Sequence, residues 1–285
     1  MSGVTEAFDA AERAMWAGRA EAYAASFGRL CAGPVGALLD AAGVPDGGSE
    51  GPAGDSAESS ARPYVLDVGT GTGTAALAAL ERGARVCAVD ADAGMVAAAR
   101  ARGVAAEVAV LPELPCPDGE FDVVLGNFTL NHVGRPRAAL AELRRVLRPG
   151  GRIALTLWGA RRGAGQGLLG RACGAGGAVR PRDLPRMDPA EDFVRTPEGV
   201  AGLLHEAGFK SAECTELAWD HRTTVEEWWG GVAAGLTTVG LVMAAQDART
   251  VVRIRREYER LSARFAVGGG ELALPHCALL AHGVA

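Results

Sequence analysis

The stretch VLDVGTGTGTAAL, residues 65–77, decides the fold of this chain. An apolar run ends in Asp67, glycines then occupy positions 69, 71 and 73, and a helical pattern begins at Thr74. Because glycine has no Cβ, such a turn lets a ligand approach the backbone closely. A strand that passes through a bare turn into a helix is the usual ligand-binding corner of an open α/β sheet.

The spacing of these glycines argues against a dinucleotide ligand. The G-x-G-x-x-G fingerprint, counted from Gly69, requires glycine at position 74, where the chain has threonine. Asp67 would repel a pyrophosphate and attract an ammonium group. Asp90 ends the next predicted strand, 85–90, where its carboxylate can accept hydrogen bonds from both hydroxyls of a ribose. The corner therefore favours a nucleoside that carries a cationic amine.

Strand and helix patterns alternate around this corner. Predicted strands cover 64–69, 85–90, 105–110, 121–127 and 152–158, and predicted helices cover 74–83, 93–103 and 136–151. This alternation is typical of a parallel sheet with helices on both faces. Two more strands, 211–224 and 271–284, complete an α/β fold with a doubly wound, seven-stranded, mostly parallel sheet.

Composition limits the classes of partner. The chain has 285 residues, of which 48% are hydrophobic and 22% charged, and its net charge is −5. This balance favours a soluble globular protein and argues against nucleic-acid binding. No apolar run is long enough for a membrane span, and the acidic, amphipathic start is unlike a signal peptide. Six cysteines without a CxxC pair indicate reduced thiols and a cytoplasmic location.

Four motifs in order resemble those of class I S-adenosylmethionine-dependent methyltransferases. They are VLDVGTGTGTAAL, VCAVDADAGMVAAAR, LPCPDGEFDVVLGNFTLNHV and LRRVLRPGGRIAL. The branch they resemble includes ubiquinone- and menaquinone-type enzymes and natural-product enzymes. The resemblance is close over 64–158 and looser for 16–27, 196–209 and the last strand. It implies a Rossmann-like methyltransferase fold, S-adenosyl-L-methionine as cofactor and S-adenosyl-L-homocysteine as product.

The resemblance also implies which residues contact the cofactor. The expected set is Tyr23, Asp67, Gly69, Thr70, Gly71, Gly73, Asp90, Ala91, Met95, Leu111 and Asn127. The glycine turn would surround the methionine moiety, with Gly73 allowing close packing, and Asp90 would hold the ribose. Many relatives carry an acid after the third strand that contacts the adenine amine. That acid is missing here, and backbone groups near Leu111 are expected to replace it.

Substrate and catalytic residues are expected at the open edge of the sheet. A neutral histidine suits removal of a proton from a phenol, alcohol or acidic carbon near pH 7. His132 and His221 are the catalytic candidates, and Trp16, Phe128, His132 and Trp228 are the substrate-binding candidates. A structural role is the alternative for each of these candidates. Trp16 could be a core aromatic residue, as could Tyr23 of the expected cofactor contacts, and His132 could have a structural role in its loop. No metal-binding pattern is evident.

The expected domain organisation places caps around the cofactor core. Residues 1–42 form helices over the site, 43–63 a flexible linker, and 64–158 the cofactor-binding core. Residues 159–285 complete the sheet (196–224 and 266–285) and supply a helical substrate cap (159–195 and 225–265).

The expected function is methyl transfer to a hydrophobic small molecule, namely a secondary metabolite. The protein is expected to be a monomer or homodimer and to have no nucleic-acid or membrane partner. O-methylation is favoured, with C- and N-methylation open. Two alternatives remain: a non-methylating reaction such as cyclisation on the same fold, and a non-catalytic methyltransferase-like partner protein.

Overall fold

The computed structural model describes residues 3–46, 62–184 and 186–285. Within these residues the strands are β1 Tyr64–Val68, β2 Arg85–Asp90, β3 Ala106–Val108, β4 Phe121–Asn127, β5 Leu147–Leu157, β6 Lys210–Thr224, β7 Ala266–Gly268 and β8 Glu271–Val284. They form one sheet in the order β3-β2-β1-β4-β5-β8-β6, and β7 pairs with β8. The first five strands are parallel, and β8 runs antiparallel between β5 and β6. The predicted fold class is confirmed, with the short β7 as an additional strand.

Helices cover both faces of the sheet and its open edge. In the described residues they are α1 Gly3–Trp16, α2 Ala20–Ala25, α3 Phe27–Ala32, α4 Val35–Ala42, α5 Thr74–Glu81, α6 Ala93–Ala101, α7 Pro136–Val146, α8 Leu168–Ala175, α9 Pro197–Glu206, α10 Val225–Ala233, α11 Thr237–Ala244 and α12 Ala248–Ser262. None of these helices is both long and apolar enough to cross a membrane.

Alternate residues of the strands face two different helical layers. Leu66 and Val124 pack with α7 and α9, whereas Val65 and Val123 pack with α4, α5 and α6. Successive side chains of a strand point to opposite faces, and both faces here are covered. The central strands β1 and β4 are therefore mostly apolar and buried, which is why the sequence shows continuous apolar runs there rather than alternation.

A third apolar cluster holds the cap together. Buried residues of α8, α10, α11 and α12 pack there against the far ends of β6 and β8. The Tyr258 hydroxyl in α12 donates a hydrogen bond of 2.8 Å to the carbonyl oxygen of Val225. The predicted linker 43–63 lies largely outside the described residues, which omit 47–61.

Candidate functional site

The glycine turn between β1 and α5 adopts a backbone that other residues rarely reach. Gly69, Gly71 and Gly73 have φ angles of 63°, 55° and 84°. A Cβ at Gly69 would lie 2.4 Å from the Thr129 hydroxyl oxygen, and one at Gly73 would lie 3.0 Å from Val104 Cγ2. Both conformation and space therefore require glycine. The turn leaves a bare backbone at the carboxyl edge of β1.

Asp67 braces this turn from behind. Its Oδ2 accepts hydrogen bonds from the Thr70 hydroxyl at 2.6 Å and from the Ala76 amide at 3.1 Å. Its Oδ1 is buried and has no hydrogen-bond partner in the described part of the chain. Burial raises the pKa of this carboxyl to about 7, and the two hydrogen bonds oppose that rise. An unpartnered carboxyl oxygen is a point where a nearby positive charge would be stabilised.

Asp90, at the end of β2, is tied to the same turn. Its Oδ2 accepts a hydrogen bond from the Gly71 amide at 2.8 Å, and its Oδ1 accepts one from the Asp92 amide at 2.9 Å. Burial raises the pKa of the Asp90 carboxyl. Each carboxylate oxygen can accept a second hydrogen bond. The N-cap of α6 is Asp92 and not Asp90, because the Asp92 side chain accepts a hydrogen bond from the Met95 amide.

A cavity of about 420 Å³ opens in front of the turn. This volume is within the range of roughly 300–1,000 Å³ that is typical of small-molecule sites. The charged side chains of its wall are Asp9, Glu12, Asp90, Asp92 and Arg13. Carboxylates outnumber cations there, so the wall favours a positively charged ligand over a pyrophosphate.

The N-terminal helices cover this cavity. A Cβ at Gly71 would lie 3.1 Å from Cε1 of Tyr23, so the Tyr23 ring lies directly over the glycine turn. The Trp16 ring meets Tyr23 and His132 edge-on, with centroid distances of 5.7 and 5.1 Å. Burial raises the pKa of Tyr23 well above its ordinary value, which keeps the phenol protonated. Aromatic rings from α1 and α2 thus shield the site from water.

The end of β4 supplies the opposite wall. The Asn127 amide group donates to the Cys31 carbonyl oxygen at 2.8 Å, and its Oδ1 accepts from the Thr156 hydroxyl at 2.6 Å. Phe128 follows with a φ of 62°, which is uncommon for a bulky residue. Its ring stacks on Trp158 at 4.2 Å between centroids. This turn gives the cavity an aromatic floor next to the tip of the strand.

His132 belongs to a short 3-10 helix, Thr129–His132, that continues from this turn. Its Nδ1 lies 2.7 Å from Oε2 of Glu12 in α1. The histidine side chain is 35% exposed and that of Glu12 is 14% exposed. A histidine on the cavity wall is thereby paired with a largely buried carboxylate.

The cavity wall contains most, but not all, of the residues that the sequence singles out. On the wall are Trp16, Tyr23, Gly69, Gly71, Asp90, Ala91, Met95, Leu111, Asn127, Phe128 and His132. Asp67, Thr70 and Gly73 lie behind it, where they shape the turn. Ala109, Val110, Leu111 and Leu114 line the wall near the position where relatives carry an acid.

Two predicted residues lie away from the cavity. His221 and Trp228 are 5% and 2% exposed in the cap, with ring centroids 5.2 Å apart. The structure therefore does not bring His221 or Trp228 to the cavity that His132 lines. The reason is that β6 continues beyond the sheet edge, where His221 pairs with Leu274 of β8 beneath α10. Burial lowers the pKa of His221 to about 4, so this histidine is neutral at pH 7.

Several residues of the cavity wall were not predicted from the sequence as site residues. Asp9, Glu12, Phe27, Trp158 and Thr237 all line the cavity. Asp9, Glu12 and Trp16 follow the three- and four-residue spacing of one helix face, which is the signal that could have identified them. Trp158 and Thr237 carry no comparable signal.

Comparisons with known proteins agree with this geometry. Residues 66–155 match the family model described as a methyltransferase domain. The demethylmenaquinone methyltransferase of Beutenbergia cavernae is 33% identical over 162 residues, which are 53% of this chain and 68% of the relative. That of Clavibacter sepedonicus is 42% identical over 96 residues, which are 32% of this chain. The second match spans only 39% of the relative's length.

Solved structures show the same fold at low identity. A Bacillus halodurans C-125 protein described as a candidate methyltransferase superposes with a TM-score of 0.50 at 19% identity, covering 88% of this chain and 97% of its own. The YcgJ protein of Bacillus subtilis gives a TM-score of 0.50 at 17% identity with the same coverage. At this identity the likeness concerns the fold alone.

Proposed function

Because the chain belongs to the class I S-adenosylmethionine-dependent methyltransferases, we propose that it transfers a methyl group to a hydrophobic small molecule. The observation that carries this proposal is the single cavity described above. It joins a bare glycine turn and acidic side chains to an aromatic floor and a histidine. The glycine turn and the acidic side chains suit the cofactor, and the aromatic floor and the histidine suit an apolar acceptor beside it.

The residues present fit S-adenosyl-L-methionine. The backbone at Gly69 and Gly71 would lie against the methionine moiety, and Asp90 would accept hydrogen bonds from the ribose hydroxyls. The unpartnered Oδ1 of Asp67 and the acidic wall complement the ammonium and sulfonium charges. Met95 and the segment around Leu111 would border the adenine.

The protein's contribution is orientation, proton removal and exclusion of water. When bound, the cofactor supplies an electrophilic methyl group on a sulfonium. Phe128 and Trp158 would hold the acceptor's apolar face, while Trp16 and Tyr23 cover the site. His132 would take a proton from the acceptor on its Nε2 atom.

The acceptor class follows from these groups. A stacked aromatic floor favours a flat apolar ring, and a histidine is needed only where the acceptor must lose a proton. Two relatives are named for methylation of demethylmenaquinone, which contains a flat apolar ring system. We therefore favour a hydroxylated aromatic secondary metabolite as the acceptor. Methylation at oxygen is our first choice, and methylation at carbon or nitrogen stays open, because a histidine base can also remove a proton from an acidic carbon.

The test is a mass-spectrometric screen. The protein is incubated with S-adenosyl-L-methionine and a panel of phenols, naphthols and a demethylmenaquinol analogue, and both acceptor and cofactor products are measured. We expect an acceptor heavier by one methylene together with S-adenosyl-L-homocysteine. Asp90→Ala is the matched inactive control, because it removes the expected ribose contact. An acceptor rearranged without a mass gain would favour the cyclisation alternative. Absence of S-adenosyl-L-homocysteine binding would contradict the proposal altogether.

A further inference from the structure

Two acidic residues fasten α1 to the loop that carries His132. Glu12 contacts His132 Nδ1 at 2.7 Å, and Asp9 Oδ1 accepts a hydrogen bond from the Gly134 amide at 2.7 Å. The two acids are three residues apart and therefore share one face of the helix. This face is directed at the loop 129–134, which joins the tip of β4 to α7. The contact between α1 and the loop is thus polar and specific.

The contact with Glu12 selects one protonation pattern of His132. A carboxylate can only accept a hydrogen bond, so Nδ1 must carry the proton. In the neutral ring the lone pair is then on Nε2. Among the residues described, none hydrogen-bonds to this Nε2, and the ring lies on the cavity wall. An isolated imidazole has no such constraint on which nitrogen is protonated.

Neighbouring groups hold the ring in this orientation. Trp16, one turn after Glu12 on α1, meets the imidazole edge-on at 5.1 Å with an interplanar angle of 85°. Glu12 itself is only 14% exposed, so water competes weakly for its carboxylate. The pair lies on the cavity wall beside Asp9 of α1 and Asp90 of β2. The imidazolium formed by protonation would lie among carboxylates.

We propose that Glu12 is a positioning residue for methyl transfer: it holds His132 with an unprotonated Nε2 toward the cavity. This inference rests on the proposed function. The acceptor's O–H bond breaks, its electron pair stays on the acceptor oxygen, and the proton moves to Nε2. The positive charge gained by the ring is paired with Glu12. Because Glu12 belongs to α1, the Glu12–His132 pair forms only when α1 is packed on the loop. The acceptor that such a base serves is one that carries an acidic hydroxyl group.

The first test reads the protonation pattern without cofactor or acceptor. In ¹⁵N spectra of the histidine rings, the resonances absent from His132→Asn identify His132. We expect the neutral His132 ring of the native protein to carry its proton on Nδ1, and we expect a shift of the neutral ring toward the Nε2-protonated form in Glu12→Ala. Glu6→Gln, which removes an exposed acid from the same helix, should leave the pattern unchanged. An unaltered pattern in Glu12→Ala would overturn the inference.

The second test is a double-mutant cycle with the hydroxylated aromatic acceptor that gives product in the screen. Glu12→Gln should lower kcat by about ten- to a hundredfold, within the effect of one general base, while KM for the acceptor stays constant. In a His132→Ala background the same substitution should have no further effect. An equal loss in both backgrounds would mean that Glu12 only supports the structure. If no acceptor is methylated, the proposed function fails, and the spectra still decide the role of Glu12.

Discussion

Asp67 should make binding of the cofactor depend on pH. Its pKa is raised to about 7 by burial, so the free protein carries a neutral carboxyl at lower pH. A cationic ligand stabilises the ionised form, and its affinity should therefore increase as the pH rises toward 7 and level off above it. Titration calorimetry with S-adenosyl-L-homocysteine on both sides of pH 7 measures this. Asp67→Asn keeps an oxygen acceptor for Thr70 and Ala76 and should flatten the curve; an unchanged slope would contradict the assignment.

The same group affects the stability of the ligand-free fold. Its ordinary pKa is 3.8, and in the folded chain it is about 7. Between these values the folded state binds one more proton than the unfolded state, so this contribution to the free energy of unfolding falls as pH rises. Comparing the native protein with Asp67→Asn by chemical denaturation isolates the effect from other titrating groups.

His132→Ala tests the catalytic assignment directly. Removal of a general base typically lowers kcat by about 10²- to 10⁴-fold, and the Kd of S-adenosyl-L-homocysteine should not change. The measurement combines steady-state kinetics with calorimetry. His205→Ala is the matched control, because His205 is exposed on α9. Turnover at the native rate in His132→Ala would exclude the histidine as the base.

At the scale of residues, the sequence predicts which residues meet at the glycine turn better than it predicts which residues meet around His132. Asp67, Gly71 and Asp90 follow from local spacing, because one turn and two strand ends bring them together. Glu12 and His132 are 120 positions apart, and only the packing of α1 joins them. Likewise, nothing local distinguishes His221, beneath the cap, from His132, on the cavity wall.

Among the elements, α1 depends on a glycine in the loop it contacts. A Cβ at Gly134 would lie 2.7 Å from Asp9 Oδ1 and 3.1 Å from Thr5 Cγ2. Gly134→Ala should therefore push the Asp9 carboxylate away from the amide of residue 134, and loss of that hydrogen bond should weaken the packing of α1 by about 1 kcal/mol. We expect faster amide hydrogen exchange over 3–16 and a lower kcat. Gly170→Ala in α8, where an added Cβ meets nothing within 4 Å, is the control. Unchanged exchange in α1 would show that the helix does not rest on this contact.

The boundaries of elements were predictable where local chemistry decides them. Strand β8 has the predicted limits, 271–284, because its apolar run is long and follows three glycines at 268–270. The predicted helix 136–151 ends at Val146 instead, since Leu147 pairs with Phe121 at the start of β5. The N-terminal region, for which the sequence predicts helices, has four in the described residues. Gly18, in the left-handed region, and Ser26 interrupt the pattern.

For the whole molecule, the cofactor should act as a stabiliser. A ligand that binds only the folded state at a hundred times its Kd adds about 2.7 kcal/mol to the free energy of unfolding. S-adenosyl-L-homocysteine should therefore raise Tm in a thermal-shift assay, and NADH, whose pyrophosphate meets an acidic wall, should not. Gly71→Val should abolish the shift, because its φ of 55° and the Tyr23 ring leave no room for a side chain. A shift with NADH alone would reverse the choice of ligand.

The position of β8 between β5 and β6 constrains how the chain can be folded during synthesis. The ribosome produces β6 before β8, yet β6 has no partner in the sheet other than β8 among the described strands. The five parallel strands can pair as they emerge, whereas β6 must wait with an unpaired backbone until residues 271–284 have left the exit tunnel. Until then the β5 edge is also open to other nascent chains. Translation speed over residues 210–284 should thus influence the yield of active protein more than speed over the glycine corner.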